Sequence, residues 1–208
     1  MTVLTETLDR LEYWLWQNHP GVAELLGPGL TSEEIDNHFK DIPVQITQEI
    51  KELYQWTNGC MLFPSPWQGE ALGCMPLEKA IQYSYYQPYV ASELEFIVEK
   101  ITVPTLVMFG EFERWVHFAL CDGNHVSPIL VTTDDYYIRL AYSSITSMAL
   151  TTLECYEREI LTIKDGHRRP EVLNENETLF KEFNFIRKRN NAIFNSESIR
   201  EQYNIDLE

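Results

Sequence analysis

The chain lacks the signatures by which the commoner enzyme chemistries are recognised. It has no GxSxG turn for a serine nucleophile, no GxxxxGK[ST] loop for phosphates, no GxGxxG behind a strand and no HExxH zinc helix. Nowhere do about 18 apolar residues stand together, as a membrane-spanning helix would need. Glu6 and Asp9 fall where a secretion signal needs a basic start and an unbroken apolar run, so a cytoplasmic location is expected. Cysteine is sparse: Cys60, Cys74, Cys121 and Cys155 form no CxxC pair, and a chain of 208 residues does not depend on disulfide staples. Reduced, mostly buried thiols are expected.

Positive charge is also scarce. Sixteen Lys and Arg stand against 32 Asp and Glu, a formal net charge of −16. Residues 1–160 hold 23 acidic and 8 basic side chains, against 9 and 8 in residues 161–208, so the acidity belongs to the body of the chain. Such a field repels nucleic acid and anionic membrane and favours encounter with a basic partner, while also keeping the protein in solution. The run Arg187-Lys188-Arg189 is too short to reverse this. It is expected to face solvent or to pair with the acidic body, without direct nucleic-acid contact.

What is abundant is core material. Hydrophobic residues make up 44 % of the chain and aromatics 12 %, which argues against disorder and suits one domain with an appendage. Leu4, Leu8, Leu11 and Leu15 recur at helical spacing and predict an amphipathic helix over 3–17, with Tyr13 and Trp16 widening its apolar face for deeper burial or for a partner surface, burial being the preferred account. His19-Pro20-Gly21 breaks it.

From Leu26 to Gly59 the chain carries two punctuated helices. Thr31 with Glu34 forms a capping box, Leu30 and Ile35 can staple across it, and Ile35 and Phe39 mark the buried stripe. Ile42-Pro43 stops that helix. A second begins at Thr47, burying Ile50, Leu53, Tyr54 and Thr57 and placing Gln48, Glu49, Lys51, Glu52 and Gln55 on the wet side. Asn58-Gly59 ends it.

These anchors are Pro28-Gly29-Leu30-Thr31, Ile42-Pro43, Glu49-Ile50, Glu52-Leu53-Tyr54-Gln55-Trp56 and Asn58-Gly59. With Ser143 to Tyr156, SSITSMALTTLECY, they make the chain resemble the SUKH superfamily, which includes the Smi/Knr-type cell-wall-assembly regulators and many bacterial immunity proteins. The resemblance covers about residues 26–160 and implies a Smi/Knr-like partner-recognition domain without a reaction centre. Thr47 stands where relatives tend to carry a second proline, and a threonine can cap instead.

Beyond Gly59, Pro64, Pro66 and Gly69 interrupt short apolar runs, and a strand is expected over 71–76. Leu77 to Tyr86 returns to helical spacing. The tyrosines around it, Tyr83, Tyr85, Tyr86 and Tyr89, form a candidate aromatic interface beside the default of half-buried packing. Residues 102–140 read as an antiparallel meander of at least four strands, with Asp122-Gly123 as a tight hairpin turn and Pro104 and Pro128 at strand starts or edges. Ile145, Met148, Ala149, Thr152, Leu153, Tyr156 and Ile160 define a helix capped by Ser143 or Ser144 that is expected to lie across one face of the sheet.

The expected fold is therefore α+β, an antiparallel sheet flanked by helices over 1–164 with a helical C-terminal extension over 165–208. No cofactor and no metal are expected: His117, Cys121 and His125 share HxxxCxxxH, but the surroundings read as strand, turn and strand, and a fourth ligand is not evident. The functional expectation is a non-catalytic protein-binding domain, and for an acidic chain the SUKH resemblance implies an immunity protein neutralising a basic, nuclease-type toxin. A regulatory scaffold using the Tyr83 to Tyr89 cluster or the N-terminal aromatics as a hydrophobic interface is the alternative, and an unrecognised enzyme at the Glu111/Glu113 pair is third. For an acidic interface the candidates are the loop residues Glu111, Glu113, Asp134 and Asp135, with Trp115 as an aromatic anchor.

Overall fold

Helix boundaries fall where the side chains that cap them stand. The computed structural model describes residues 1–65, 71–85, 104–110, 116–132, 138–163, 170–172, 177–193 and 196–203. Helix α1 (Val3–Asn18) is capped by Thr2, whose hydroxyl accepts from the Thr5 N–H, and it buries Leu4, Leu8, Leu11 and Leu15. Pro20 opens the short α2 (Pro20–Ala23), so the break at His19 turns the chain. Helix α3 (Ser32–Phe39) carries the complete capping box, the Thr31 N–H donating to Glu34 at 2.8 Å, and buries Ile35 and Phe39. Thr47 caps α4 (Gln48–Trp56), and Asn58 both follows that helix and accepts from the Leu77 N–H that opens α5 (Leu77–Tyr85).

The glycine-rich segment before α3 is pressed against the C-terminus of α4. The Leu30 N–H donates to the Tyr54 carbonyl at 2.8 Å and the Asn58 N–H to the Pro28 carbonyl at 3.2 Å, occupying groups a helix end leaves unpaired. A Cβ at Gly29 would collide with the Gln55 carbonyl and the Trp56 backbone. Gly29→Ala is therefore expected to cost about 2 kcal/mol or more, because backbone and not a flexible side chain would have to move. A denaturant midpoint within error of wild type would refute this.

Six strands run in chain order across one antiparallel sheet: β1 (Cys60–Pro64), β2 (Ala71–Cys74), β3 (Thr105–Gly110), β4 (Val116–Leu120), β5 (Ile129–Thr132) and β6 (Ile138–Tyr142). A separate antiparallel pair joins β7 (Leu161–Ile163) to β8 (Pro170–Val172). With the helices this is an α+β fold. In β4, Ala119 points into the main core, whereas Phe118 and Leu120 point to the reverse face, where Leu130, Ile138 and Leu140 form a second core closed by Ile199. Covering on both faces explains why β4 is nearly continuous in apolar residues.

The connection between β4 and β5 is longer than the Asp122-Gly123 signal suggests. It runs over 121–128, held within itself where Asp122 accepts from the Asn124 N–H at 2.9 Å and tied outwards where the Gly123 N–H donates to the Gln45 carbonyl at 3.1 Å. Pro104 and Pro128 stand immediately before β3 and β5.

Helix α6 (Ile145–Glu157) is enclosed, where a helix lying on one sheet face was expected. Helices α1, α4 and α7 (Glu177–Ala192) pack around it together with β1, β6 and β7. Most of its buried polar side chains are satisfied locally: Ser144 and Ser147 form a capping box, and the Thr151 and Thr152 hydroxyls donate to the Ser147 and Met148 carbonyls at 2.7 and 2.8 Å, while the Thr146 hydroxyl donates to Glu49 on α4. Helix α7 places Phe183 and Ile186 in the same core and clamps the β6–α6 turn, where the Ser143 hydroxyl donates to the Asn191 carbonyl at 2.9 Å and its N–H to the Asn191 side chain at 3.1 Å. Helix α8 (Ser196–Tyr203) supplies Ile199 to the reverse face. The β7–β8 pair spans residues 164/165, where the extension was expected to begin. Among the described residues no helix is long and apolar enough to cross a membrane.

Candidate functional site

Glu111, Glu113, Trp115, Asp134, Asp135 and Tyr86, together with Tyr89, lie outside the described residues, as does the side chain of Tyr85. The strand ends flanking the two acidic segments are described. Gly110 pairs with Val116 and Thr132 with Ile138, and the register of β4 on β5 brings both pairs to one end of the sheet. Of the α5 tyrosines, Tyr83 is 36 % exposed.

A more exposed aromatic pair stands on α1. Tyr13 is 68 % and Trp16 45 % exposed, one turn apart, contrary to the burial expected of them. The inner face of α1 is already filled by its four leucines, and Trp14 takes the half-buried flank, stacked on Tyr156 with ring centroids 4.8 Å apart. At 100° per residue, Glu6 and Asp9 share the outer face with Tyr13 and Trp16, and both are exposed. Glu12 lies at the edge of that face and accepts from the Trp56 indole N–H at 3.0 Å. Arg10 is also exposed on this face and pairs with Glu157 at 2.9 Å, so the aromatic pair stands beside two exposed carboxylates and one ion-paired cation, on a helix packed against α4 and α6.

Carboxylates buried with a shifted pKa are where a catalytic base would be sought. Glu49 is such a group, 5 % exposed, although helical spacing placed it on the wet side. Its Oε2 accepts from the Ser127 N–H at 2.7 Å and the Ile145 N–H at 3.1 Å, while Oε1 accepts from the Thr146 N–H at 3.0 Å and the Thr146 hydroxyl. Burial pushes its pKa up, and the four donors pull it back only in part. It stands in the first turn of α4 and at the N-terminus of α6, so two helix dipoles favour its charge. Every acceptor position facing those donors is in use, which makes Glu49 a clamp carried by α4 that holds the N-terminus of α6 and the loop at Ser127. Glu52, also buried, ties α1 to α4 by accepting from the Thr5 hydroxyl at 3.2 Å and the Gln48 amide at 3.0 Å.

His117 lies fully buried on β4, and among the described residues neither ring nitrogen has a hydrogen-bond partner. Burial alone drives its pKa down to about 3. Cys121 is buried just beyond the strand, whereas His125 is exposed in the loop, so the HxxxCxxxH residues do not converge. Among the described residues no group of three or more His, Cys, Asp or Glu could hold a metal ion. The four cysteines are free and buried, and burial pushes the Cys155 thiol up to about 12 and that of Cys121 higher still. Those two thiols are protonated at neutral pH and poor nucleophiles.

No protein-family model matches the chain, and no curated protein matches it.

Proposed function

We propose that this protein is a non-catalytic binding module that captures a basic protein partner through the outer face of α1. The observation that carries the reading is the exposure of Tyr13 and Trp16 beside Glu6 and Asp9. Large aromatics contribute contact area at little entropic cost, and acidic neighbours steer a basic surface towards them. The net charge of −16 works in the same direction at longer range. The SUKH resemblance adds a partner class, a nuclease-type toxin that an immunity protein would cover.

A second acidic surface, carried by Glu111, Glu113, Asp134 and Asp135 with Trp115, is supported by the strand ends that gather the flanking backbone at one end of the sheet. The scaffold alternative would use Tyr83, Tyr85 and Tyr86, or the α1 aromatics themselves in a contact that salt does not weaken. The three surfaces separate by mutation. Tagged wild-type protein is expected to retain a basic partner at low salt and release it at about 0.5 M, where the Debye length falls below about 5 Å. Tyr13→Ala with Trp16→Ala should weaken that complex roughly 10- to 100-fold, as loss of aromatic anchors does, without altering the melting temperature. Retention undiminished by this pair but abolished by Glu111→Lys with Asp134→Lys would move the interface to the sheet end. Retention insensitive to salt would sink the charge-steered reading altogether.

A further inference from the structure

The basic residues of this acidic chain are not scattered. A cavity of about 660 Å³ opens between the edge strand β6, helix α7 and helix α8, and Arg139, Lys181, Arg187, Lys188 and Arg200 line it. Among the described lining residues Glu177 is the one carboxylate, and it is occupied by Lys181 at 2.6 Å. Five of the chain's sixteen cations thus border one pocket. Arg187 is held in place by donating to the Ala141 carbonyl at 3.1 Å and the Asn184 side chain at 3.3 Å, and Arg139 has a partner of its own. Among the described residues the buried Nε–H of Arg200 meets no acceptor, and Lys188, exposed at the pocket, has no ion pair. Two phenylalanines complete the lining: Phe180, half-buried, and Phe185, 65 % exposed.

We propose that this cavity binds a small phosphorylated molecule with a planar ring, of the nucleoside monophosphate class. The Lys188 ammonium and the Arg200 guanidinium suit the oxygens of a phosphoryl group, with the partnered Arg139, Lys181 and Arg187 adding positive field around them, and Phe185 offers a face for a ring. The volume lies within the usual range for small-ligand sites. A small ligand is favoured over a nucleic-acid strand because the whole-protein field repels an extended polyanion. A single phosphate inside the pocket is governed by charges within roughly one Debye length, about 8 Å at physiological salt. This site uses β6, α7 and α8, and is independent of the α1 face.

The test is calorimetric titration of the full chain with AMP, inorganic phosphate, adenosine and a short oligothymidylate, at about 20 mM salt. The expected order is AMP tightest, phosphate weaker and adenosine weakest, with AMP raising the melting temperature. Lys188→Gln and Arg200→Gln should each weaken AMP at least about fivefold, whereas Arg10→Gln on α1 should not. Lys188 is exposed, so its replacement reports on the site even if Arg200→Gln perturbs α8. Absence of saturable binding, or binding unchanged in Lys188→Gln, overturns the proposal. Equal affinity for AMP and adenosine overturns the phosphate assignment, equal affinity for AMP and phosphate the ring assignment, and a preference for the oligonucleotide the small-molecule assignment.

Discussion

Replacing Glu49 by alanine is expected to remove about 4 kcal/mol or more of folding stability, a large part of the roughly 5–15 kcal/mol a domain possesses. Three backbone N–H groups, those of Ser127, Ile145 and Thr146, would lose their acceptor inside the protein, and a buried orphaned donor costs about 1–3 kcal/mol. Glu49→Gln separates charge from hydrogen bonding. It relieves the burial of an ionised group, yet its NH2 must confront two donors whichever way the amide is turned, because both carboxylate oxygens accept twice. A loss of about 2–3 kcal/mol is expected for it, smaller than for alanine. Urea unfolding followed by circular dichroism measures both; a change under 1 kcal/mol in the alanine variant would show that the Ser127, Ile145 and Thr146 N–H groups do not depend on Glu49 for an acceptor.

The second large effect is a loss of stability in acid caused by His117. In the folded protein its pKa is about 3, while the unfolded chain returns it to about 6.5, so below pH 6.5 the unfolded state binds a proton that the folded state refuses. Stability should fall by about 1.4 kcal/mol per pH unit through this window, reaching about 3 kcal/mol by pH 4.5. Glu49 acts in the opposite sense: its raised pKa means that the folded state holds a proton more tightly than the unfolded chain, and that contribution is lost as pH rises through the folded value. The difference between wild type and His117→Leu isolates the histidine. The leucine variant should be more stable at pH 7, having removed two unpartnered buried nitrogens, and its advantage should widen on acidification. Parallel stability curves from pH 7 to 4.5 would mean that His117 is solvated or paired.

What the sequence revealed here was local. The capping box of Thr31 and Glu34, the cap at Thr47, the leucine stripe of α1 and the four-strand meander depend on neighbours within a turn or a hairpin, and pattern reading finds them. Glu49 and Glu52 were assigned to solvent because helical spacing describes only the helix's own faces. Glu49 is buried by partners 96 residues away along the chain. Tyr13 and Trp16 failed in the other direction: their apolar character suggested burial, but the leucines had already filled the inner face of the helix. The basic run Arg187-Lys188-Arg189 divides in space. Arg189 pairs with Glu154, whereas Arg187 and Lys188 join Arg139 and Arg200 around a cavity that only the packing of α7 and α8 against β6 creates. The acidic loop candidates Glu111, Glu113, Asp134 and Asp135 were chosen for their position between strands, and the register of those strands supplies a reason to test them together.

The placement of the last helices also governs how the chain behaves while it is being made. β8 lies against β1 and β2, Arg187 and Asn191 donate to the Ala141 carbonyl on β6, and Ile199 seals the reverse face of the sheet. All of these groups leave the ribosome after the six strands they cover. A nascent chain that has completed β6 therefore carries a sheet with an open edge and a bare apolar face formed by Phe118, Leu120, Leu130 and Leu140, the kind of surface that recruits other strands. During synthesis the C-terminal segment is the protein's own late-arriving chaperone, and pauses in translation between residues 142 and 199 are the interval in which aggregation competes with folding.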